Sequence, residues 1–350
     1  MAQKVRVALA GATGYGGVEA VRWLSVHPAV ELVYLGSESY AGQSMNSVYP
    51  HLGRVNQVLR RFEPSEVAGA ADVAMLAVPA GHGMRTAPRL LEAGVKVIDF
   101  SPDFRLKQPE VYQRYYKAEH ACPDLLQEAV YGLPEVHRKE IAAARLVAVP
   151  GCYPTGALIP LLPLLRAGLI KHEGIVIDSK SGISGAGRTS LELRYHFPEA
   201  NEDVTAYNVA AHRHTPEMEQ EIGVAVKEEA SVCFTPHLVP MTRGIFSTVY
   251  APLSDKGHTA HDLIECLRSA YASDPFVVVH GEESIPHTKA TAGSNSCHIT
   301  ARADERTGRA ILLSAIDNLG KGLAGTAVQC MNLMFGLPET TGLEMAAAYP

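Results

Sequence analysis

The chain has little of what would mark a nucleic-acid-binding protein, a membrane protein or an exported protein. Among its 350 residues the acidic groups outnumber the basic ones, 37 against 31, so the formal net charge is −6. This balance gives no reason to expect nucleic acid or an anionic membrane as a partner. No apolar run is long enough to cross a bilayer, and Met1 to Lys4 lead into a strand pattern without a signal-peptide core. We therefore expect a cytoplasmic protein.

Cysteine is sparse, and the spacing of the cysteines excludes several kinds of site. The six thiols are scattered, with no close pair that would indicate a metal site or a redox couple. They are Cys122, Cys152, Cys233, Cys266, Cys297 and Cys330. Reduced thiols in a cytoplasmic enzyme are the simplest interpretation. The chain also lacks internal repeats and low-complexity tracts, and its length predicts two domains.

One of these cysteines stands where a nucleophile would be held. Cys152 lies between an apolar strand-like run, residues 145–149, and a second apolar run, residues 157–165, so a strand-to-helix turn is predicted there. A thiol is a useful nucleophile only as a thiolate, which needs a helix N-terminus or a positive neighbour. Taken by itself, such a cysteine is more often an inert buried thiol.

A glycine-rich turn near the start predicts dinucleotide binding. The strand pattern Val5 to Ala10 is followed by Gly11-x-x-Gly14-x-Gly16 and then by a helical pattern over residues 18–26. Such a turn lets backbone amides approach a pyrophosphate at the helix N-terminus. The alternative is a tight turn that needs glycine only for its backbone conformation.

The next strand bears on which dinucleotide is bound. An NAD site normally has an acidic residue near the end of this strand, where it would repel the 2′-phosphate of NADP. Here the strand ends in Leu35 and Gly36, and the small hydroxyl of Ser37 leaves room for a phosphate. NADP is therefore favoured, although Glu38 could point a carboxylate at the ribose after a shift of one or two residues.

Strands and helices alternate up to residue 150, which predicts a doubly wound parallel (Rossmann) sheet with ligands beyond the carboxyl ends of its strands. That edge collects the glycine-rich turn, Pro79, Ser101 and Cys152, so the thiol and the cofactor are predicted to share one cleft. A cysteine beside a nicotinamide suggests a thioester that exchanges hydride with it. Later strands often follow one another directly, with one expected over Val204 to Val209, which predicts an α+β domain with a mixed or antiparallel sheet.

Three polar segments are candidates for substrate contacts. Arg105 could grip a phosphate or carboxylate, or could simply pair with Asp103 at the surface. The loop from Ser179 to Arg188 suits a small anion, although a plain flexible loop is the alternative. The segment His212 to Glu217 stands before a helix for which Thr215 is the expected N-cap, and a histidine there could serve as base to a remote thiol. A metal site is disfavoured because no third ligand recurs at a suitable spacing.

Taken together, these segments resemble the N-acetyl-gamma-glutamyl-phosphate reductase family, NADP-dependent enzymes of arginine biosynthesis. The match covers nearly the whole chain in the family's order, and its most specific parts are Pro-Gly-Cys-Tyr-Pro-Thr at 150–155 and His-Arg-His-Thr-Pro-Glu at 212–217. The other matching segments are 11–17, 101–106, 181–188, 201–203 with Tyr207, and 317–322. One departure is Pro160, where the family usually has a small residue. With Pro163 it removes amide donors, which weakens a helix-dipole account of thiolate formation.

The resemblance implies a role for each segment. Cys152 would be acylated by N-acetyl-gamma-glutamyl phosphate, Arg105 would steady the leaving phosphate, and NADPH would reduce the thioester to the semialdehyde. His214 is the preferred partner of the thiolate, with His212 and Glu217 relaying protons to solvent, although the sequence does not rank the two histidines. Residues expected at the substrate are Arg105, Ser181, Ser184, Gly185 and Arg188. Residues expected at the cofactor are Gly11, Thr13, Gly14, Tyr15, Gly16, Ser37, Pro79, Ser101, Gly182 and Asn318.

The C-terminal run from Asn318 resembles a returning helix of the family. The expected NADP-binding domain is therefore discontinuous, residues 1–150 plus 318–350, with residues 151–317 as the substrate, catalytic and oligomerisation domain. A homodimer or homotetramer is implied. The rival functions are aspartate-semialdehyde dehydrogenase, the related aminoadipyl-phosphate reductase of lysine biosynthesis, and a non-enzymatic NADP-binding regulator.

Overall fold

A computed structural model describes residues 4–349, and they form two compact units. Unit 1 contains the chain up to Pro150, the short segment Gly187–Thr189 and the stretch Leu323–Glu344. Unit 2 contains the remaining described residues. Residues 1–3 and 350, at the two ends of the predicted first domain, lie outside the described residues. Within residues 4–349, no helix is both long enough and apolar enough to span a membrane.

The first part of unit 1 alternates short strands with helices. In chain order the elements are β1 (Val5–Ala10), α1 (Tyr15–Leu24), β2 (Val30–Leu35), α2 (Met45–Val48), α3 (Pro64–Val67), β3 (Val73–Leu76), α4 (Gly83–Glu92), β4 (Lys96–Asp99), α5 (Pro109–Tyr116), α6 (Asp124–Glu128), β5 (Val130–Tyr131), α7 (Pro134–Ala143) and β6 (Leu146–Ala148).

The six strands of unit 1 form one parallel sheet in the order β2-β1-β3-β4-β6-β5. Every residue of β3 and β6 is buried, as expected for strands covered on both faces. Because the strands are parallel, their carboxyl ends lie at one edge, and the glycine-rich turn after β1 lies there too. This confirms the doubly wound sheet predicted from the alternation of strands and helices.

Unit 2 begins with a long helix and continues mainly as strands. Its elements are α8 (Cys152–Arg166), β7 (Ile175–Ser181), α9 (Phe197–Ala200), β8 (Thr205–Ala206), α10 (Thr215–Val226), β9 (Val232–Leu238), β10 (Ile245–Pro252), α11 (Ala260–Ala270), β11 (Val277–Val279), β12 (Cys297–Asp304) and β13 (Arg309–Ile316).

The sheet of unit 2 has seven strands in the order β11-β12-β13-β10-β7-β9-β8 and mixes both directions. Two neighbouring pairs are parallel, β11 with β12 and β7 with β9, and the other four are antiparallel. Burial alternates along β7 and β10, so one face of the sheet is covered. Helix α8 packs on β10 and β13, with α10 and α11 beside it. The predicted mixed sheet is confirmed.

The last helix, α12 (Gly325–Met334), follows a π-helical turn at Gly320–Ala324 and packs against α1 and α7. Nine of its ten residues are buried. A buried hydrogen bond joins His27, which follows α1, to Asn332 of α12 at 3.0 Å. The chain therefore returns to unit 1 after completing the sheet of unit 2.

Helix α8 runs unbroken from Cys152 to Arg166 through both interior prolines, Pro160 and Pro163. A proline cannot donate to the carbonyl four residues earlier, so Pro160 leaves the carbonyl of Gly156 without its helical partner, and Pro163 does the same at Ile159. The hydroxyl of Ser314 donates to Gly156 O at 2.6 Å, and the hydroxyl of Tyr271 donates to Ile159 O. The prolines therefore do not interrupt the helix, because neighbouring side chains replace the missing donors.

The strand expected over Val204 to Val209 was also largely wrong. Only Thr205 and Ala206 pair, with β9, and the chain then turns. Asn208 and Ala210 have φ of 46° and 55°, in the left-handed region, which strand geometry does not allow.

Replacing Ser314 with alanine tests how the helix tolerates Pro160. S314A leaves the buried Gly156 carbonyl without a donor, so the free energy of unfolding should fall by about 1–3 kcal/mol. In a P160A background the restored backbone N–H supplies the donor, and the same S314A change should cost less than half as much. Urea unfolding of the four proteins in this double-mutant cycle measures the coupling. Equal costs in the two backgrounds would contradict the explanation.

Candidate active site

Cys152 is the first residue of α8 and is half-buried. The preceding residue, Gly151, has extended backbone and caps the helix. Its carbonyl accepts hydrogen bonds from both the amide and the hydroxyl of Thr155, at 3.0 Å each. The partial positive charge of a helix N-terminus favours an anion there, so the position suits a thiolate.

The imidazole of His214 lies directly against this turn. A Cβ atom added to Gly151 would be 2.5 Å from His214 Nε2 and 2.7 Å from its Cδ2, so only glycine leaves room for the ring. On the other side, a Cβ added to Gly322 would be 2.9 Å from Cys152 Cβ. The His214 ring thus packs against the residue that precedes Cys152, and Gly322 packs against Cys152 itself.

Glu217, at the end of the segment 212–217 that also contains His214, holds the turn at Gly151 in place. It lies in the first turn of α10, is 1% exposed, and its Oε1 accepts a hydrogen bond from the Gly151 amide at 2.6 Å. His214, rather than the expected Thr215, occupies the position before this helix, and Thr215 is its first residue. The entrance of α10 thus supplies both the imidazole beside Gly151 and the carboxylate that binds its amide.

His212 lies behind His214 in an aromatic setting. It is 8% exposed, and its Nδ1 accepts a hydrogen bond from the His214 amide at 3.1 Å. The rings of Tyr153, Tyr207 and Phe234 stand edge-on to it at centroid distances of 5.2–5.5 Å. Burial, and secondarily the charge of Arg213, lowers the pKa of His212 to about 4. It is therefore neutral at pH 7, with its proton on Nε2.

The structure distinguishes the positions of His212 and His214, which the sequence could not rank as partners of the thiolate. His214 is the one whose ring lies at the turn leading into Cys152, while His212 supports the His214 backbone. His212 and Glu217 are both buried, and the relay of protons to solvent through them stays a prediction.

Two tyrosines complete this cluster, although neither was proposed as a site residue from the sequence. Tyr153, 2% exposed, has its hydroxyl 3.0 Å from that of Tyr207. Burial is the main cause of the raised pKa of each phenol, so both are neutral at pH 7. Tyr153 directly follows Cys152 in the sequence, and this position could have indicated a site residue. The contact between Tyr153 and Tyr207 could not be inferred from their spacing in the sequence.

The predicted substrate loop of unit 2 is fixed by its neighbours. The amides of Gly182, Ile183 and Ser184 donate to the backbone of residues 241–244 at 2.9–3.1 Å. The Asn318 side chain donates to Ser184 Oγ at 2.9 Å and accepts from the Gly244 amide at 2.8 Å. Asn318 and Gly182, both expected at the cofactor, thus lie together with Ser184 in unit 2.

Arg243 in the adjoining segment was not singled out from the sequence. Its Nε lies 3.0 Å from Oδ2 of Asp317, which is fully buried and also accepts from the amides of Leu319 and Gly320 at 2.8 and 3.1 Å. A cation fixed in this way beside the predicted substrate loop could bind an anionic group. The sequence signal was weak, since one arginine between two strands is common.

Unit 1 contains a cavity of about 530 Å³ at the glycine-rich turn. Of the residues predicted to bind the cofactor, those that line it are Gly11, Thr13, Gly14, Tyr15, Gly16, Ser37 and Pro79. Gly11 has φ of 73°, and a Cβ there would lie 2.1 Å from Ala77 O, so any side chain would disrupt the turn. The cavity and its bare backbone fit a dinucleotide.

The carboxylate that left the choice of dinucleotide open, that of Glu38, belongs to a residue that also lines this cavity. Glu38 Oε1 accepts from the Phe62 amide at 3.4 Å, and Oε2 lies 3.9 Å from Arg61 Nε. Ser37 is 4% exposed, and its Oγ lies 2.8 Å from Thr13 Oγ1. Arg188, expected at the substrate, instead lines this cavity of unit 1.

The segment after β4 is buried rather than exposed. Asp103 is fully buried and accepts from the amides of Gly81 and Met84 at 2.8 and 3.0 Å, while Arg105 is 7% exposed and donates to Phe100 O at 2.8 Å. The alternative of a surface pair between Asp103 and Arg105 is therefore wrong. Ser101 donates to Asp99 Oδ2 at 2.6 Å and does not line the cavity.

Asp99 carries the most perturbed carboxyl group of this segment. It is fully buried at the end of β4. Burial, followed by the nearby charge of Asp103, raises the pKa of Asp99 to about 7.

Among residues 4–349 no cluster of three or more histidine, cysteine or acidic side chains could hold a metal ion.

Comparison with known proteins gives matches over nearly the whole chain. Residues 6–144 match the model described as "Semialdehyde dehydrogenase, NAD binding domain", and residues 152–318 match "Semialdehyde dehydrogenase, dimerisation domain". Proteins named N-acetyl-gamma-glutamyl-phosphate reductase from Symbiobacterium thermophilum and Pelotomaculum thermopropionicum are each 50% identical over 99% of both chains. Among solved structures, aspartate semialdehyde dehydrogenase II from Vibrio cholerae has a TM-score of 0.72 at 19% identity, covering 96% of this chain and 99% of its own. That likeness shows the fold alone.

The state of His212 gives a direct test of the cluster. Its folded pKa of about 4 lies below the usual value of 6.5, so the unfolded chain binds the extra proton between these values. The stability that His212 contributes should be complete above pH 6.5 and should be lost as the pH falls toward 4. An NMR titration of the His212 ring, assigned by its absence in H212Q, should show a midpoint well below 5.5. A midpoint at or above 6.5 would contradict the buried, neutral assignment.

Proposed function

The chain belongs to the N-acetyl-gamma-glutamyl-phosphate reductase family of semialdehyde dehydrogenases, and from that premise we propose that it reduces N-acetyl-gamma-glutamyl phosphate with NADPH. The products are N-acetyl-L-glutamate 5-semialdehyde and phosphate. The observation that carries this proposal is the packing of His214 against Gly151, next to a cysteine at the start of a helix. A thiol with a basic neighbour and a helix N-terminus is the arrangement that covalent acyl transfer requires.

Unit 1 is the part that we assign to the dinucleotide. The glycine-rich turn precedes α1, whose N-terminus favours the pyrophosphate. The small Ser37 hydroxyl at the end of β2 supports NADP rather than NAD. When bound, the nicotinamide supplies the hydride that reduces the acyl group.

Unit 2 is the part that we assign to covalent chemistry. His214 accepts the thiol proton, and the Cys152 thiolate attacks the carbonyl carbon of the acyl phosphate. The carbon–oxygen bond to phosphate breaks, which leaves a thioester on Cys152. After reduction, the His214 imidazolium protonates the oxygen of the thiohemiacetal. His214 then takes that proton back as the carbon–sulfur bond breaks, and the aldehyde leaves.

Three further groups support these steps in the proposal. Glu217 fixes the Gly151 amide, so the turn that presents the thiol stays in place while the sulfur changes its bonding. Ser181 and the loop up to Gly185 hold the N-acetylglutamyl portion, and Arg105 of unit 1 steadies the phosphate. We add Arg243 as a second cation for an anionic group of the substrate.

We also propose a cytoplasmic homodimer or homotetramer. All six cysteines carry reduced thiols, which suits a reducing compartment. The family model that matches residues 152–318 is described as a dimerisation domain, which supports self-association.

Substrate choice and the role of the thiol can be tested together. The purified protein should oxidise NADPH with N-acetyl-gamma-glutamyl phosphate and show at most a few per cent of that rate with aspartyl phosphate. C152S should lose at least about a thousand-fold in rate, because nucleophile and leaving group are removed together. C233S, which changes an exposed thiol, is the matched control and should retain the rate.

Other results would identify the alternatives. Preference for aspartyl phosphate would indicate an aspartate-semialdehyde dehydrogenase. NADPH binding without turnover on any acyl phosphate would support a regulator, and retained activity in C152S would refute the covalent mechanism.

A further inference from the structure

We propose that Arg188 is a specificity-determining residue that recognises the 2′-phosphate of NADP, the group that distinguishes NADP from NAD. This inference rests on the proposed use of NADPH and names the cation that selects it. It replaces the expectation that Arg188 binds the acyl substrate together with Ser181 and Ser184.

The position of Arg188 in the sequence does not indicate which unit of the fold it belongs to. The three residues Gly187–Thr189 belong to unit 1, although the residues on either side of them belong to unit 2. All three line the cavity at the glycine-rich turn. The segment that resembled a substrate loop therefore ends inside the predicted dinucleotide site.

Hydrogen bonds hold the guanidinium firmly on the wall of this cavity. Arg188 Nη1 donates to Thr13 O at 3.0 Å and to Tyr49 Oη at 2.8 Å, and Nη2 donates to Tyr40 Oη. The guanidinium carbon also lies 4.8 Å from the ring centre of Tyr40 and 5.2 Å from that of Tyr49. Stacking on two aromatic rings orients the planar group and reduces the entropy lost when it binds a ligand.

The hydrogen bonds of the Arg188 guanidinium place its positive charge at the ribose end of the dinucleotide site. In a doubly wound dinucleotide domain, the end of the second strand faces the ribose 2′ position. Ser37 follows β2 and bonds the hydroxyl of Thr13, and Arg188 bonds the carbonyl of that same threonine. Tyr40, three residues beyond Ser37, binds the other guanidinium nitrogen. Arg188 and Ser37 thus converge on one corner of the cavity.

The chemistry of this corner suits a phosphate. A guanidinium has five N–H donors, and Arg188 uses three of them within residues 4–349, which leaves two for a ligand. Arg188 is also the one arginine or lysine among the described residues that line the cavity. Arg60 and Arg61 directly precede Phe62, which lines the cavity, but their side chains are 65% and 77% exposed. A fixed cation in a cavity binds a dianion better than a mobile surface cation does.

A purely structural role is the competing explanation, since the same three hydrogen bonds also fasten residues 187–189 to unit 1. The two explanations differ in what R188Q does to two ligand fragments, 2′-phospho-ADP-ribose and ADP-ribose. Loss of the cation should weaken the binding of 2′-phospho-ADP-ribose about 10- to 100-fold. It should weaken the binding of ADP-ribose by less than about threefold. A loosened segment would weaken both fragments alike.

Isothermal titration calorimetry of the full-length protein with each fragment is the experiment, because it requires neither acyl substrate nor turnover. R188K should lie between wild type and R188Q, since lysine keeps the charge but loses the fork. R61Q is the matched control and should leave both affinities unchanged. A thermal melt of each variant verifies that it is folded.

Each remaining outcome has a definite meaning. Equal weakening of both fragments in R188Q, or loss of the 2′-phosphate preference in R61Q instead, would overturn the assignment of Arg188 while leaving NADP as the cofactor. Wild-type protein that binds both fragments equally would overturn the NADP preference itself, and the role of Arg188 with it. Neither result would bear on the covalent chemistry of Cys152.

Discussion

The hydrogen bond from the Gly151 amide to the buried carboxylate of Glu217 is the contact on which the catalytic part of the structure depends. It joins the start of α8 to the start of α10, two helices that pack against each other in unit 2. The same entrance to α10 places the His214 ring against Gly151, where any side chain would collide with it. One backbone amide and one missing Cβ therefore position Gly151, which precedes Cys152, against His214 and Glu217.

This arrangement requires a rigid helix α8. The two prolines inside that helix make its rigidity unexpected from the sequence. Two prolines interrupt the pattern of backbone donors, yet the helix is continuous because Ser314 and Tyr271 supply hydrogen bonds from outside it. Both donors come from elements distant in sequence. Helix α8 therefore remains continuous from Cys152, so its N-terminus is present beside the thiol. The helix and His214 act at the same turn.

Much of this architecture could be predicted from local sequence. Alternating apolar strands and helices gave the parallel sheet, and the turn that starts at Gly11 marked the nucleotide cavity. Such features depend on residues close together in the chain. The expectation for Cys152 likewise needed only its flanking runs, because a strand-to-helix turn is local.

What could not be predicted depends on contacts between distant residues. The aromatic residues around His212 come from three different segments, so its burial could not be predicted from the local sequence. Arg188 lies in a segment with the composition of a substrate loop, and only the fold shows that it enters unit 1. The burial of Asp103 beneath the amides of Gly81 and Met84 is equally invisible in a polar-looking turn.

The central claim is that Cys152 becomes acylated by the substrate. Mass spectrometry of the protein after incubation with N-acetyl-gamma-glutamyl phosphate, in the absence of NADPH, tests it most directly. The account predicts one N-acetylglutamyl group per chain, located on the peptide that contains Cys152 and lost when NADPH is added. An unmodified Cys152 in protein that turns over the substrate, or an adduct confined to another residue, would contradict it.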